Sequence, residues 1–536
     1  MLISSSDSSR ARVIGFAVAA MAVTLIALPV VGVVRAVALA WHADDVRAIN
    51  ASHLAISLSL LASTLAWAVG IALAAVVLAW LPACALARSG AMNRGRAGPL
   101  AALALVPMLL PSYLTYHAIG LSRAPQTLLG DWLEQLSHGA MPAAPIIAGR
   151  VIAFIGLALW TWPLAALVMG WSLSHVPPSV VDALRVDGAS RWRRHMELAK
   201  LVRGSIVWSA LLLILIMLGS SVPLHLAQVP TISLQAWLSI NIDPGNVKVW
   251  LLTWPVLLVA LVASVLFAGQ LTRTNEFASS EPPRVQRSNP DWTVVALGCL
   301  TCSATLLPLV LYAITLRSWQ SLMLFLRVSG EAIARSGLVA VCVSGLLVLF
   351  TLATWYLLAV RRVRAVSVLA FIGMFGLLAP GSLVGQAWAL GVNLPFVPYA
   401  VSDSLLPTVA SHVTRFLGLA VLAGVFFARS EGQSVRSQRQ IDAGASVRAW
   451  CITSLAGKVP ALLGLILAFA CLSLHEIDSS IVLQQPGTQS LAQTLLAQLH
   501  FARQEEMAAG AIIVVGGGVV IAALSAWLVT RGRQSD

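Results

Sequence analysis

Ionisable residues stand inside otherwise apolar segments of this 536-residue chain. Arg415 follows His412 by three residues, so the two lie on the same face of a helix. Glu476, preceded by His475, lies in a later apolar segment. A charge at the centre of a bilayer costs about 2.5–3.5 kcal/mol on insertion scales, so such residues call for an explanation. Two explanations are open, a polar translocation path that attracts anions and an ion pair between Arg415 and Glu476.

Motifs for enzyme chemistry are absent from the sequence. There is no G-x-x-x-x-G-K-[ST] loop to cradle nucleotide phosphates, and no H-E-x-x-H or G-x-S-x-G pattern. A polytopic membrane enzyme would need such a constellation, and none is found. We therefore expect no catalytic residue, no cofactor and no metal ion on this chain, and energy that comes from a partner or from an ion gradient.

Composition places these residues in a membrane protein. The chain is 58% apolar and 10% charged, against roughly 45–50% and 25% in soluble domains. Its mean hydropathy is +0.86. We predict an all-α polytopic protein with about twelve transmembrane helices. The predicted spans are 13–34, 54–86, 99–121, 146–172, 204–226, 248–270, 292–315, 336–360, 366–390, 405–428, 459–482 and 508–530.

The charge balance predicts the orientation in the membrane. The net charge is +13, which in a soluble domain would raise the question of nucleic acid. With both termini inside, the inside connections hold 24 Lys and Arg residues and the outside connections hold 7. This distribution follows the positive-inside rule and predicts no nucleic-acid partner. A long apolar stretch follows the polar N-terminus, and we predict that this first span is not cleaved.

The sequence also carries signs of an internal duplication. A polar segment with paired prolines, residues 271–291, separates a first half, 1–270, from a second, 292–536. The triplet at Gly188 recurs at Gly444, and T-I-S-L from Thr231 recurs as T-Q-S-L from Thr488, at offsets of 256 and 257 residues. Six spans in each half predict parallel repeats.

Two long inside connections are predicted to be structured. In the first, Ser179 is placed to cap a short helix, Gly188 breaks it, and Ser190 caps a second helix. The second connection repeats the plan with Gly444 as the break and Ser446 as the later cap. Its first cap is predicted at Ser437, with Gln440 at the capping-box position.

The first connection resembles the cytoplasmic EAA loop of permease subunits in binding-protein-dependent ABC importers. Asp182 stands for the family's glutamate, and Gly188 is its glycine. Two such loops in one chain resemble the fused permeases of ferric iron, thiamine and phosphonate importers. The resemblance implies two parallel six-helix repeats of the type I importer fold in a bacterial plasma membrane. It also implies docking of each loop on an ATPase subunit, and no cofactor on this chain.

The resemblance implies specific coupling residues. In the first loop they are Asp182, Ala183, Leu184, Asp187, Gly188, Ala189, Ser190, Arg191 and Trp192. In the second they are Gln438, Arg439, Gln440, Asp442, Gly444, Ala445, Ser446 and Arg448. The implied partners are a cytoplasmic ATPase homodimer and an external solute-binding protein. The second loop has Gln438 where the family has an acid, which implies unequal coupling by the two loops.

A second class of transporter is also compatible with the sequence. An ion-gradient-driven secondary transporter with two parallel six-span repeats would use His412, Arg415 and Glu476 as coupling groups. It explains the charges in the spans, but it gives no reason for the two structured loops. Ferric iron is the substrate that the resemblance to the importers implies, with thiamine, polyamine and phosphonate as alternatives.

Overall fold

The structure is a computed structural model. It describes residues 5–42, 51–88, 104–139, 141–220, 222–273, 292–360, 362–431, 439, 441, 446–485, 487–501 and 503–531. Within these ranges the chain is helical and contains no β-strand. The prediction of an all-α polytopic membrane protein is confirmed.

Eleven α-helices lie in the described ranges before the segment 274–291. They are α1 (Ser5–His42), α2 (Ala51–Arg88), α3 (Ser112–Gly120), α4 (Leu128–His138), α5 (Ala144–Ser174), α6 (Pro178–Val186), α7 (Arg191–Leu201), α8 (Arg203–Leu218), α9 (Val222–Leu226), α10 (Ile232–Ile242) and α11 (Lys248–Arg273). Short 3₁₀ turns, Val106–Leu109 and Leu121–Arg123, flank α3.

Eleven more α-helices lie in the part of the chain described after that segment. They are α12 (Trp292–Thr315), α13 (Gln320–Val328), α14 (Gly330–Ala359), α15 (Val363–Leu378), α16 (Gly381–Val392), α17 (Tyr399–Ser402), α18 (Leu406–Ser430), α19 (Val447–Trp450), α20 (Val459–Leu474), α21 (Leu491–His500) and α22 (Gln504–Arg531). A π turn, Cys451–Leu455, and a 3₁₀ turn, Ala456–Lys458, join α19 to α20.

The predicted number of about twelve spanning helices is not confirmed within the described residues. Nine helices in the described ranges are long and apolar enough to cross a membrane, and two bent helix pairs raise the number to eleven. The predicted span 366–390 is not continuous, because α15 and α16 meet at 111° around Pro380. The described part of 99–121 is interrupted at Pro111, which has no N–H to donate and restricts the residue before it.

Small residues bring the central helices together. Buried alanines of α2, at positions 72, 75, 79 and 83, lie three or four residues apart in the core cluster shared with α5. In the second half, α15 and α18 approach at Gly373 and Gly418. A Cβ added to Gly418 would lie 2.7 Å from the Gly373 carbonyl oxygen. The two backbones are therefore in direct contact.

Replacing Gly418 with alanine is expected to lower the free energy of unfolding by about 1–3 kcal/mol, because the added methyl overpacks this contact. Detergent-induced unfolding of the purified chain in mixed micelles measures it. Gly298→Ala on α12 is the matched control, since a Cβ there has no neighbour within 4 Å. Equal losses in the two variants would contradict the packing argument.

The first helix of each half packs against the other half. α1 contacts α14, α15, α16 and α18, whereas α12 contacts α2, α3, α5 and the first 3₁₀ turn of the first half and also α22 of its own half. α1 and α16 approach closely, since a Cβ added to Gly32 would clash with the Gly391 backbone nitrogen. α1 therefore packs on the second half, and α12 lies between the two halves.

Helix ends recur at a constant spacing. α18 ends 256 residues after α5 ends. α20 begins and ends 256 residues after α8 does, and α22 begins 256 residues after α11 begins. Thr231 caps α10 and Ser490 caps α21, each accepting a backbone N–H at 3.2 Å. The layout of short and long helices is thus repeated along the chain.

Candidate functional site

The connection between α5 and α8 folds as two short helices with a tight turn. α6 ends at Val186, and Gly188 follows with φ +67°, a conformation that a Cβ disfavours. Ser190 begins α7, and its hydroxyl accepts the Arg193 N–H at 3.3 Å. α7 then meets α8 at 72°. The predicted glycine break and second cap of this loop are both found.

The predicted first cap of this loop is wrong. α6 begins at Pro178, its N-cap is Pro177, and no side chain caps it, Ser179 included. Proline is favoured at the first helical position, and a helix that begins at Pro178 places Ser179 inside its first turn instead of at the N-cap. Asp182 instead forms an ion pair with Arg185, whose Nη1 is 3.3 Å from Oδ1.

The α6–α7 unit presents its side chains to the surroundings. Val186 is 87% exposed and Trp192 is 74% exposed, although both are large and apolar. None of residues 181–197 is buried. Of the predicted coupling residues, Ala183, Asp187, Gly188, Ser190 and Arg191 are exposed, and Asp182, Leu184 and Ala189 are half-buried. An exposed aromatic residue beside charged ones is typical of a protein interface.

The exposed face of α7 is basic. Lys200 and the arginines at 191, 193 and 194 outnumber its single acid, Glu197. The Lys200 ammonium lies 2.8 Å from Glu197 Oε1, and this hydrogen bond, with the attraction of the charge, lowers the pKa of that carboxyl. Glu197 is therefore ionised at neutral pH and pairs with Lys200, whereas the side chains of Arg191 and Arg193 are exposed.

α7 is connected to the spanning helices through aromatic rings. Trp80 Nε1 of α2 donates to His195 Nδ1 at 3.2 Å, and the ring of Trp292 on α12 lies 6.0 Å from that of His195. α7 therefore contacts a spanning helix of each half. These three residues were not predicted from the sequence, and no local pattern signals them, since more than 90 positions separate each from the next.

The second loop is only partly described. Gln438, Gln440, Asp442, Gly444 and Ala445 lie outside the described residues, as does the cap predicted at Ser437. Ser446 caps α19, accepting the Ala449 N–H at 3.5 Å. Arg448 lies in α19.

Arg439 anchors this loop to the ends of two helices. Its guanidinium forms an ion pair with both Glu431 oxygens, just after α18, and donates to the Ser454 hydroxyl near the start of the candidate span Val447–Leu474. The side chains of Arg439 and Glu431 are only 3% and 5% exposed. This buried ion pair makes the second loop different in construction from the first, in which none of residues 181–197 is buried.

The intramembrane ionisable residues come together around a broken helix. Arg415 Nε lies 3.7 Å from Glu476 Oε1, and the two side chains are 13% and 9% exposed. Arg415 Nη1 also donates to the carbonyls of Leu377 at 3.2 Å and Ala379 at 2.5 Å. These carbonyls end α15 before Pro380 and carry the negative end of its dipole. Arg415 therefore stabilises both the Glu476 carboxylate and the free carbonyls at the helix break.

In the first half, a neutral side chain donates to the carbonyl that precedes the proline. Its interrupted helix passes through Leu110 and Pro111, and the Leu110 carbonyl accepts the Trp160 indole N–H at 2.8 Å. Trp160 lies on α5, 255 residues before Arg415 on α18. A neutral donor and a charged donor thus occupy corresponding positions and satisfy the carbonyl before a proline.

His412 is held by two hydroxyl groups. Its Nδ1 lies 2.9 Å from Ser473 Oγ and its Nε2 lies 2.7 Å from Ser480 Oγ. The Ser480 hydroxyl donates to the Glu476 carbonyl at 2.6 Å, so it accepts from His412, whose proton is then on Nε2. His475 is half-buried at the end of α20, and its backbone N–H donates to the Leu472 carbonyl.

A small cavity of about 50 Å³ adjoins this cluster. His412 and Glu476 line it, together with Arg335, Gln485 and Gln493. All its walls come from the second half of the chain. Among the described residues no group of three or more His, Cys, Asp or Glu side chains could hold a metal ion.

Comparison with known proteins adds no assignment: no protein-family model, curated protein or solved structure matches this chain.

Proposed function

We propose that this chain is the membrane-spanning permease subunit of an ABC importer. The observation that carries the proposal is the α6–α7 unit, with Gly188 at φ +67° and the apolar side chains of Val186 and Trp192 exposed. A short helix that a tight turn holds to a second helix moves together with it as a rigid lever, with little bending between the two. Its exposed apolar side chains match a groove on an ATPase subunit.

The repeated layout supports the same proposal. Helix ends spaced by 256 residues, and first helices that each contact the opposite half, fit two parallel six-helix repeats about an axis along the membrane normal. The type I importer fold, with both termini cytoplasmic in a bacterial inner membrane, accounts for this arrangement. Residues 1–270 and 292–536 are the two permease halves.

The partners in this proposal are a cytoplasmic ATPase homodimer and an external solute-binding protein. The solute is ferric iron by the resemblance of the loops, with thiamine, polyamine or phosphonate as alternatives. The second loop, anchored by the buried ion pair of Arg439 and Glu431, docks less freely than the first. The two loops then contribute unequally to coupling.

Gly188→Ala tests the proposal. The left-handed conformation costs a non-glycine residue about 1–2 kcal/mol, so coupled ATP hydrolysis is expected to fall roughly 5- to 30-fold. Vanadate-sensitive hydrolysis by the complex, purified from its native membrane and reconstituted in nanodiscs, measures it. Gly204→Ala on α8 is the matched control, because neither glycine has a neighbour within 4 Å of an added Cβ and only Gly188 has a positive φ.

The gradient-driven transporter is the second candidate, favoured by the buried cluster of His412, Arg415 and Glu476 beside a cavity. The same preparation separates the two. If no ATPase co-purifies, and a proton or sodium gradient alone drives uptake into vesicles, the importer proposal fails and the cluster becomes the coupling site.

A further inference from the structure

Two histidines from different halves of the chain meet at one surface. His225 lies on α9, and His500 is the last residue of α21. Their Nε2 atoms are 3.5 Å apart, and the rings stack with centroids 5.7 Å apart and planes at 27°. His500 is exposed and His225 is half-buried. Solvent thus reaches the pair, which none of the roles above uses.

The hydrogen bonds of His500 leave the facing nitrogen available. Its Nδ1 lies 2.8 Å from the Leu496 carbonyl oxygen, which can only accept, so Nδ1 carries the proton. In the neutral ring Nε2 then carries a lone pair, and this lone pair faces His225 Nε2. Metal-binding histidines characteristically donate their other ring N–H to such a carbonyl, which fixes the tautomer and the ring orientation.

The separation of the two nitrogens suits two ligands of one metal ion. With metal–nitrogen bonds of about 2.0–2.1 Å and angles near 90–110°, ligand nitrogens lie about 2.9–3.4 Å apart. The Nε2 atoms of His225 and His500 are close to this spacing. The ring of Trp237, with its centroid 5.1 Å away, packs on His225 and limits its rotation.

We propose that His225 and His500 form a binding site for one divalent transition-metal ion of the Zn²⁺ or Ni²⁺ class, for which neutral imidazole is a suitable ligand. In the described part of the chain no third His, Cys, Asp or Glu joins the pair, so water completes the coordination. Because the two ligands come from different halves, the bound ion holds the halves together at this surface. The ion therefore stabilises the arrangement seen here against any arrangement that separates α9 from α21.

Zinc titration of the full chain tests the site. The chain, made without a polyhistidine tag and stripped with chelator, is titrated with ZnCl₂ by calorimetry in nanodiscs. One Zn²⁺ per chain is expected, and His225→Gln and His500→Gln should each weaken binding by about tenfold or more, since one of two protein ligands is lost. His175→Gln is the matched control, because His175 is also exposed and its Nδ1 likewise lies 2.8 Å from a carbonyl oxygen.

Thermal unfolding of the same samples separates a lost site from a damaged fold. Without metal, all the variants should unfold at the wild-type temperature. Zn²⁺ should raise that temperature for the wild type and His175→Gln, and leave it unchanged for the other two variants. The proposal is overturned if the wild type binds no Zn²⁺, or if both Gln variants at the pair bind it as the wild type does. Neither result depends on ATPase coupling, so the metal site and the proposed function are tested independently.

Discussion

Arg415→Met is expected to lower the free energy of unfolding by about 3–5 kcal/mol, because removing one partner leaves the other charge buried and uncompensated. Glu476 would lose its ion pair at 3.7 Å, and the Leu377 and Ala379 carbonyls would lose their donor. Detergent-induced unfolding in mixed micelles, followed by circular dichroism, measures the loss.

Two further variants make this prediction specific. Arg503→Met breaks an ion pair with Glu506 whose side chains are 62% and 50% exposed, and it should cost about 1 kcal/mol or less. The double variant of Arg415→Met with Glu476→Gln should recover part of the loss, because no isolated charge remains. Equal effects of the Arg415 and Arg503 changes would contradict the buried ion pair.

The second large effect is expected on association with the ATPase. Trp192→Ala should weaken binding by about 2 kcal/mol or more, roughly 30-fold in Kd, because an exposed tryptophan at the centre of an interface is a common hot spot. Its side chain is 74% exposed and stands one turn beyond Gly188. Titration of the permease in nanodiscs with its purified ATPase subunit measures the change in affinity.

Trp132→Ala is the control for this prediction. Trp132 is 55% exposed on α4, another short amphipathic helix, which lies at the other end of α5 from the α6–α7 unit. Its replacement should leave the affinity for the ATPase within about twofold of the wild type, as for an energetically neutral surface position. If both tryptophan variants bind normally, α7 is not the docking surface and the lever proposal is wrong.

Two features could be predicted from the sequence alone: that this is a membrane protein, and how most of the first loop folds. An apolar content of 58% excludes a soluble fold, and this conclusion needs no knowledge of contacts. The turn at Gly188 and the cap at Ser190 were predictable because backbone conformation and capping depend on near neighbours. The cap at Ser179 failed for an equally local reason, since Pro178 competes for the start of α6.

Only the tertiary structure shows which polar side chains are in contact. Arg415 could be recognised as costly in a span, but its partners at Ala379 and Glu476 come from other helices. Likewise, 275 residues separate His225 from His500, and only the packing of α9 near α21 brings their rings together. Hydropathy and turn signals are properties of short segments, whereas these sites depend on how separate helices pack, which no short segment specifies.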